Sequence, residues 1–269
     1  MRRDRRPVQR AAKPGKTRRA ARRPNVDTKE SLLDAAERLF AEHGLQGVSL
    51  RMINAAAGAR NASAAHYHFR SRDRLVKTLA RRRMDKLSQE RLADLQRVEA
   101  EAAGGPPDVH AIVAAVTLPT FRMLLDDRDG GANYVRFLAR AAADPTIRFS
   151  DLATEQFNYV IMIARTMLRR ALPHVPPPVL DDRMMFGIDI GILAPLRIDR
   201  LARRVDGTLD REAVELFAGR LIDYVAGGLS APVSRARVDL AERSGRAALD
   251  ELRIESPGPT IPGRSDVRP

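Results

Sequence analysis

Between Thr28 and His43 the apolar residues Leu32, Ala36, Leu39 and Phe40 recur every three or four positions, which predicts an amphipathic helix over about 28–43. Asp27 is placed to cap it, and Glu30, three residues on, to return a bond to the cap amide. Gly44 supplies a left-handed stop. Ser49 then caps a second, short helix ending near Gly58, with Val48 and Ile53 as a hydrophobic staple across the cap. A turn through Arg60 and Asn61 leads to a third helix of barely two turns, ending at Tyr67-His68-Phe69. Ser71 caps a long fourth helix that carries Leu75, Leu79 and Leu87 toward Val98. Gly104-Gly105-Pro106-Pro107 interrupts the pattern. Beyond it, longer apolar periodicities predict helices over about 108–126 (bent at Pro119), 131–143, 145–172, 179–204 and 209–229. In the 145–172 helix Asp144 is the expected cap and Pro145 the first helical residue, where a missing N–H costs nothing. One more amphipathic stretch, near 233–254, precedes a Pro/Gly-rich end.

Composition narrows this picture. The 269 residues suit one or two domains, and 44% are hydrophobic although only 12 are aromatic. A core rich in Ala, Leu, Val and Ile and poor in aromatics fits helices packed on helices, so the expected fold class is all-α. Cysteine is absent, which excludes disulfides, thiolate zinc sites, iron–sulfur clusters and Cys nucleophiles. The longest nearly apolar stretch, Tyr159 to Ala164, falls far short of the ~20 residues of a membrane span, so no membrane is expected as partner and the expected location is cytoplasmic.

The net charge of +13 is concentrated at the front. Residues 1–26 hold 11 Lys+Arg and a single acid, Asp4. Residues 27–86 hold 12 bases and 7 acids, and residues 87–269 hold 24 bases and 26 acids. Such asymmetry points the front of the chain at a polyanion, nucleic acid before membrane. The Arg pairs of the first segment mimic a twin-arginine signal, but a helix start follows where the apolar segment should be. Four segments result: a disordered basic arm (1–26), a basic helical head (27–86), a larger and nearly neutral helical domain (87–230) and a tail (231–269), partly helical and then disordered.

Two short helices joined by a tight Gly turn, behind a longer one, fit a helix-turn-helix. The run Ser31-Leu32-Leu33-Asp34-Ala35-Ala36-Glu37-Arg38-Leu39-Phe40 through Glu42-His43-Gly44 resembles the opening of TetR-family transcriptional regulators. So do Val48-Ser49-Leu50-Arg51-Met52-Ile53, Ala57-Gly58 and Tyr67-His68-Phe69-Arg70-Ser71-Arg72, with one residue more between Gly58 and Tyr67 than the commonest family spacing. The resemblance implies that Ser49 and Arg51 meet phosphate or a base edge. It also implies that Arg60, Asn61, Ser63 and His66 face the major groove, that Tyr67 and His68 hold the backbone, and that Ser71-Arg72 present free amides to a phosphate. The residue types suit these roles, since hydroxyls and helix N-termini position a duplex while Arg and Asn pair bidentately with bases. Each also has a structural reading: Ser49 and Ser71 cap helices regardless, and Tyr67 and Phe69 plug a small core. His66 and His68, two apart on a helix, point to different faces and do not suggest a metal.

In the rear domain Phe121, Tyr134, Phe137, Phe157 and Met162 are candidates for an effector pocket, or equally for ordinary core. Met123, Tyr159 and Phe186 share that ambiguity. Gly187, Gly191 and Ala194 form a smooth stripe on one late helix, and Phe217, Leu221, Val225 and Leu229 an apolar stripe on the last. Interior Gly costs about 1 kcal/mol against Ala, so the stripe calls for a close neighbour. The resemblance makes Gly187, Gly191, Ala194, Phe217, Leu221 and Val225 a dimer interface; the alternative is packing within one chain. No catalytic constellation is present, and no cofactor or metal is expected beyond an unidentified small-molecule effector. The resemblance thus implies a homodimeric, ligand-released repressor on a near-palindromic double-stranded operator. Two alternatives stay open, an architectural protein that uses its basic arm without sequence choice and a helical enzyme.

Overall fold

The computed structural model describes residues 25–59, 61, 63–126, 130–201 and 208–233. Among them every regular element is an α-helix, ten in all. The expected arm (residues 1–24 of it), most of the tail with its helix near 233–254, and Arg60 lie outside the described residues.

The head is assembled from caps and a small core. Helix α1 (Asn25–His43) starts three residues earlier than its pattern predicts, which puts Asp27 inside its first turn rather than ahead of it. It stops at Gly44, whose φ of 72° favours glycine. Ser49 caps α2 (Leu50–Ala56) by accepting a hydrogen bond from the Met52 amide at 3.3 Å. Helix α3 (Ala64–Phe69) follows, and Ser71 caps α4 (Arg72–Glu101) by accepting from the Arg74 amide at 3.2 Å. Leu32, Ala36, Phe40, Val48, Ile53, Ala65, Phe69, Leu75 and Leu79 are all buried together. Burying a side chain of Leu, Ile or Phe size is worth about 1.5–3 kcal/mol.

No break separates head from body. Helix α4 runs unbroken across the expected 86/87 boundary, one turn beyond Val98. Its later turns pack on α5 (Val109–Leu125) and α8 (Glu155–Ala171), while α1 leans on α6 (Gly131–Ala142). The α1–α6 contact stacks Phe40 against Phe137, ring centres 5.9 Å apart. Beside it the buried Tyr134 hydroxyl donates to the Ala80 carbonyl of α4. Gly131 is fixed by crowding: a Cβ there would collide with the Met123 carbonyl and lie 2.8 Å from that of Asp126.

The stretch expected as one helix over 145–172 is instead a turn, the four-residue α7 (Phe149–Leu152) and α8. Asp144 does not cap a helix; its carboxylate accepts from the Thr146 amide (2.9 Å) and hydroxyl (2.6 Å), closing a local turn. Thr154 is the real cap, its Oγ1 accepting from the Phe157 amide at 3.2 Å. Helices α9 (Pro177–Leu201) and α10 (Arg211–Ser230) close the body, with Pro195 inside α9. Arg183 of α9 donates to the Leu229 and Ala231 carbonyls at 2.8 and 2.7 Å, satisfying the end of α10. No described helix is long and apolar enough to cross a membrane.

Candidate functional site

The short helices α2 and α3 are too small to hold an angle by themselves. Buried Asn54 of α2 fixes it: its Oδ1 accepts from the Ala65 amide of α3 at 2.9 Å. On the outer face of this locked pair, Ser49, Arg51, Ser63 and His66 are exposed, and Tyr67 stands 75% exposed. Asn61 precedes α3 and accepts from the Ser63 amide at 2.9 Å, which shapes the lengthened turn. His68 is half-buried between the Tyr67 and Phe69 rings, and Phe69 is the buried plug. Ser71 opens α4 at the same surface. Arg72, whose backbone amide belongs to the first turn of α4, places its side-chain Nη1 3.5 Å from the Gln46 amide oxygen, and Gln46 bonds Asp144 at 2.9 Å. Its guanidinium is turned toward the body, whereas Arg70 and Arg74 beside it are exposed.

Charge is sorted across the head. Glu30, Asp34 and Glu37 of α1 all face Arg82, at 2.9, 2.7 and 3.7 Å, and Glu37 also meets Arg83 at 3.2 Å. Burial pushes the Glu37 carboxyl above its ordinary range even though both arginines pull it down. Three acids of α1 are thus engaged by α4, while Arg51, Arg70 and Arg74 have no ion-pair partner among the described residues, and Asp73 is the exposed acid beside them. The outer surface of α2, α3 and the start of α4 is left cationic and hydroxyl-rich, a surface complementary to a phosphate backbone.

A cavity of about 90 Å³ lies in the body, enclosed by α4, α5, α6, α8, α9 and α10. Of the five aromatic and Met residues expected in a pocket, only Phe157 lines it. Tyr134 and Phe137 are consumed by the contact with the head, Phe121 packs against Phe217 with ring centres 6.2 Å apart, and Met162 is half-buried away from the cavity. The walls are instead aliphatic, chiefly Ile112 and Val113 of α5, Val135 and Leu138 of α6 and Ile161 of α8. Their only polar members are Arg91, Thr117 and Thr120. Arg91 was legible in principle, because it occupies the apolar phase of α4 in the series Met84, Leu87, Arg91, Leu95, Val98.

The residues expected at a dimer interface are half-buried or buried in the single chain. Gly187, Gly191 and Val225 line the cavity, and a Cβ on Gly187 would lie 3.0 Å from Val225 Cγ1. Ala194 and Leu221 are buried within the single chain, and Phe217 is half-buried against Phe121. Gly187 therefore lets α10 approach α9. The outward face of the two helices carries other side chains: Phe186 (62% exposed) and Leu193 of α9, Leu216 and Tyr224 (69% exposed) of α10.

Residues 32–79 match the family profile described as "Bacterial regulatory proteins, tetR family", and residues 114–228 match "Tetracyclin repressor-like, C-terminal domain". The chain is 32% identical over 76 residues to the HTH-type transcriptional repressor AcnR of Corynebacterium efficiens, a match covering 27% of this chain and 40% of that protein. It is similar in structure to a putative tetR family transcription regulator from Shewanella sp. PV-4 (14% identity, 73% of this chain and 97% of that one, TM-score 0.47). A transcriptional regulator from Rhodococcus sp. RHA1 is also similar (22% identity, 76% and 98%, TM-score 0.45). With both profiles matched in order, one on the helix-turn-helix head and one on the helical body, the chain belongs to the TetR family of bacterial regulators.

Proposed function

We propose that the protein is a homodimeric repressor that reads a near-palindromic operator with α3 and lets go when a small molecule fills the body cavity. The observation that carries this reading is the head surface: a helix pair locked by Asn54, with cations and hydroxyls outward and Glu30, Asp34 and Glu37 of α1 engaged by Arg82 and Arg83 of α4. Ser49, Arg51, Asn61, Ser63, His66, Tyr67, His68 and Ser71 lie on or beside this surface and form the proposed contact set. The Arg72 amide at the start of α4 belongs to that set, while its side chain leans toward Asp144 through Gln46. An architectural binder that follows charge alone has no use for so defined a reading head.

The cavity joins the same device. Helix α6 offers Val135 and Leu138 to the cavity and Tyr134 and Phe137 to the head, so whatever fills the first displaces the second. Release requires that the ligand bind the DNA-free arrangement more tightly than the DNA-bound one. The dimer face in this reading is the outward surface of α9 and α10 around Phe186, Leu193, Leu216 and Tyr224, an exposed apolar patch of the kind that marks interaction sites.

Selection of genomic fragments on the purified protein, followed by footprinting, tests the proposal. A protected near-palindrome with half-sites about one helical turn (~34 Å) or a multiple apart is expected. Arg51→Ala and His66→Ala should then weaken operator binding by about 1–3 kcal/mol each with unchanged helical circular dichroism. Recovery of fragments without any shared sequence would replace the repressor with the architectural binder.

A further inference from the structure

Arg91 is 6% exposed, lies in the middle of α4 and points at a cavity whose walls hold no acidic residue. Its partners are all neutral. Nε donates to the Val116 carbonyl at 2.9 Å, Nη2 to the Thr120 hydroxyl at 2.8 Å, and Nη1 faces the Met84 sulfur at 3.9 Å, a weak acceptor. The Phe157 ring lies 5.6 Å from the guanidinium carbon. Half-buried Arg165 is treated differently: it pairs with buried Asp181 through a two-point contact, Nε to Oδ1 at 2.6 Å and Nη2 to Oδ2. Arg91 has no such carboxylate among the described residues. Burial lowers its pKa only to about 10, so at neutral pH it remains a cation.

A guanidinium carries five N–H donors, and the three interactions above leave one on each Nη without an acceptor. Two adjacent donors on a cation that no carboxylate contacts directly match the two oxygens of a carboxylate. The surroundings supply the other half of the specification. Ile112, Val113, Val135, Leu138 and Ile161 offer only hydrocarbon, so the ligand's body must be apolar and uncharged. Thr117 adds one further hydroxyl on the wall. The side of Gly191 toward which a Cβ would point is open, which leaves room for the cavity to lengthen along α9.

We propose that the effector is a small apolar carboxylic acid, bound as its anion with the carboxylate on the Arg91 fork and its hydrocarbon body against α5, α6 and α8. This assignment rests on reading the cavity as the effector site, and it names the ligand class that reading leaves blank. A competing structural role, Arg91 as a clamp between α4 and α5, makes different predictions. Thr120 lies one turn after Val116, so in Arg91→Met the threonine hydroxyl can turn onto the Val116 carbonyl and the packing is little disturbed.

The test is thermal melting and calorimetric titration of the full chain with butyrate, hexanoate and octanoate, each beside the matching alcohol and alkylammonium ion. At least one carboxylate should raise the melting temperature and bind about tenfold or more tighter than its alcohol, with the ammonium ion not binding. In Arg91→Met that preference should vanish while the unliganded protein melts no lower than wild type. Equal binding of acid and alcohol, retention of the preference in Arg91→Met, or absence of binding by every carboxylate would each overturn the assignment. If Arg91→Met does not fold, Arg91 is the α4–α5 clamp, and the wild-type headgroup series alone decides the ligand class. Operator binding, measured separately, keeps the two ideas apart: a protein that prefers carboxylates but selects no DNA sequence sinks the repressor and spares the ligand class.

Discussion

Asn54 and Glu37 show how much of this molecule depends on polar residues in apolar positions. Asn54 spends its side-chain carbonyl on the Ala65 amide, the hydrogen bond that sets α3 against α2. Asn54→Ala should cost about 1–3 kcal/mol of stability in a denaturant melt, because the Ala65 amide is left buried without its partner. It should also weaken operator binding more than that loss of stability alone would explain. Glu37 makes a prediction in pH. Its folded-state pKa lies above the ordinary 4.5, so the native state holds that proton more tightly than the unfolded chain does. Stability from this group is therefore lost as pH rises from about 4.5 through the folded value. Melting of Glu37→Gln beside wild type should show the difference moving in the variant's favour across that rise. The sequence offered only faint signs of these residues. Caps such as Ser49 and Ser71 are readable because their partners lie three residues away, whereas Asn54 reaches eleven residues on and Glu37 reaches α4. Arg91, breaking an apolar series, was the one readable irregularity.

At the scale of elements, periodicity located α1 to α6 and α9 to α10 within a few residues and failed at α7–α8. There Asp144-Pro145 has the composition of a helix start, but the Thr146 hydroxyl and amide capture the carboxylate first. Periodicity also cannot say what an apolar stripe will meet. Gly187, Gly191 and Val225 carry the small-and-apolar pattern of an interface; in the single chain Gly187 meets Val225, while the space beside Gly191 is open. The surface left over makes a concrete prediction. Phe186→Glu combined with Tyr224→Glu should give monomers by light scattering and a matching loss of operator affinity. Gly191→Leu should leave the dimer intact: its new side chain enters open space, replaces a helix-weakening glycine worth about 1 kcal/mol and blocks the cavity to ligand. A monomeric Gly191→Leu protein would return the interface to the glycine stripe.

For the whole molecule, the uneven charge matters more than its total. The first 26 residues hold 11 bases, and the head already has a surface able to discriminate sequence. Deleting residues 2–24 should therefore weaken operator and random DNA by similar factors and flatten both salt dependences, by about 0.9 in slope for each phosphate that the arm neutralises. The effector response and melting temperature should stay as they were. Loss of preference for the operator would instead mean that the arm reads bases.

Helix α4 has a mechanical consequence. Arg72 and Arg91 are nineteen positions apart on it, about 28 Å at 1.5 Å per residue, with the cap proposed to meet DNA at one end and the buried guanidinium two-thirds of the way along. A stiff rod of that length converts angle into distance: each degree of tilt about Arg91 carries the cap through about 0.5 Å. Hydrogen bonds to phosphate weaken within a few tenths of an ångström, so in the proposed repressor a rotation of only a few degrees would be enough to disengage both heads of a dimer. Such leverage also amplifies error. Any substitution that loosens the seating of α4 on α5 or α8 blurs the position of the cap, and it should register as weakened DNA affinity although it lies far from any base.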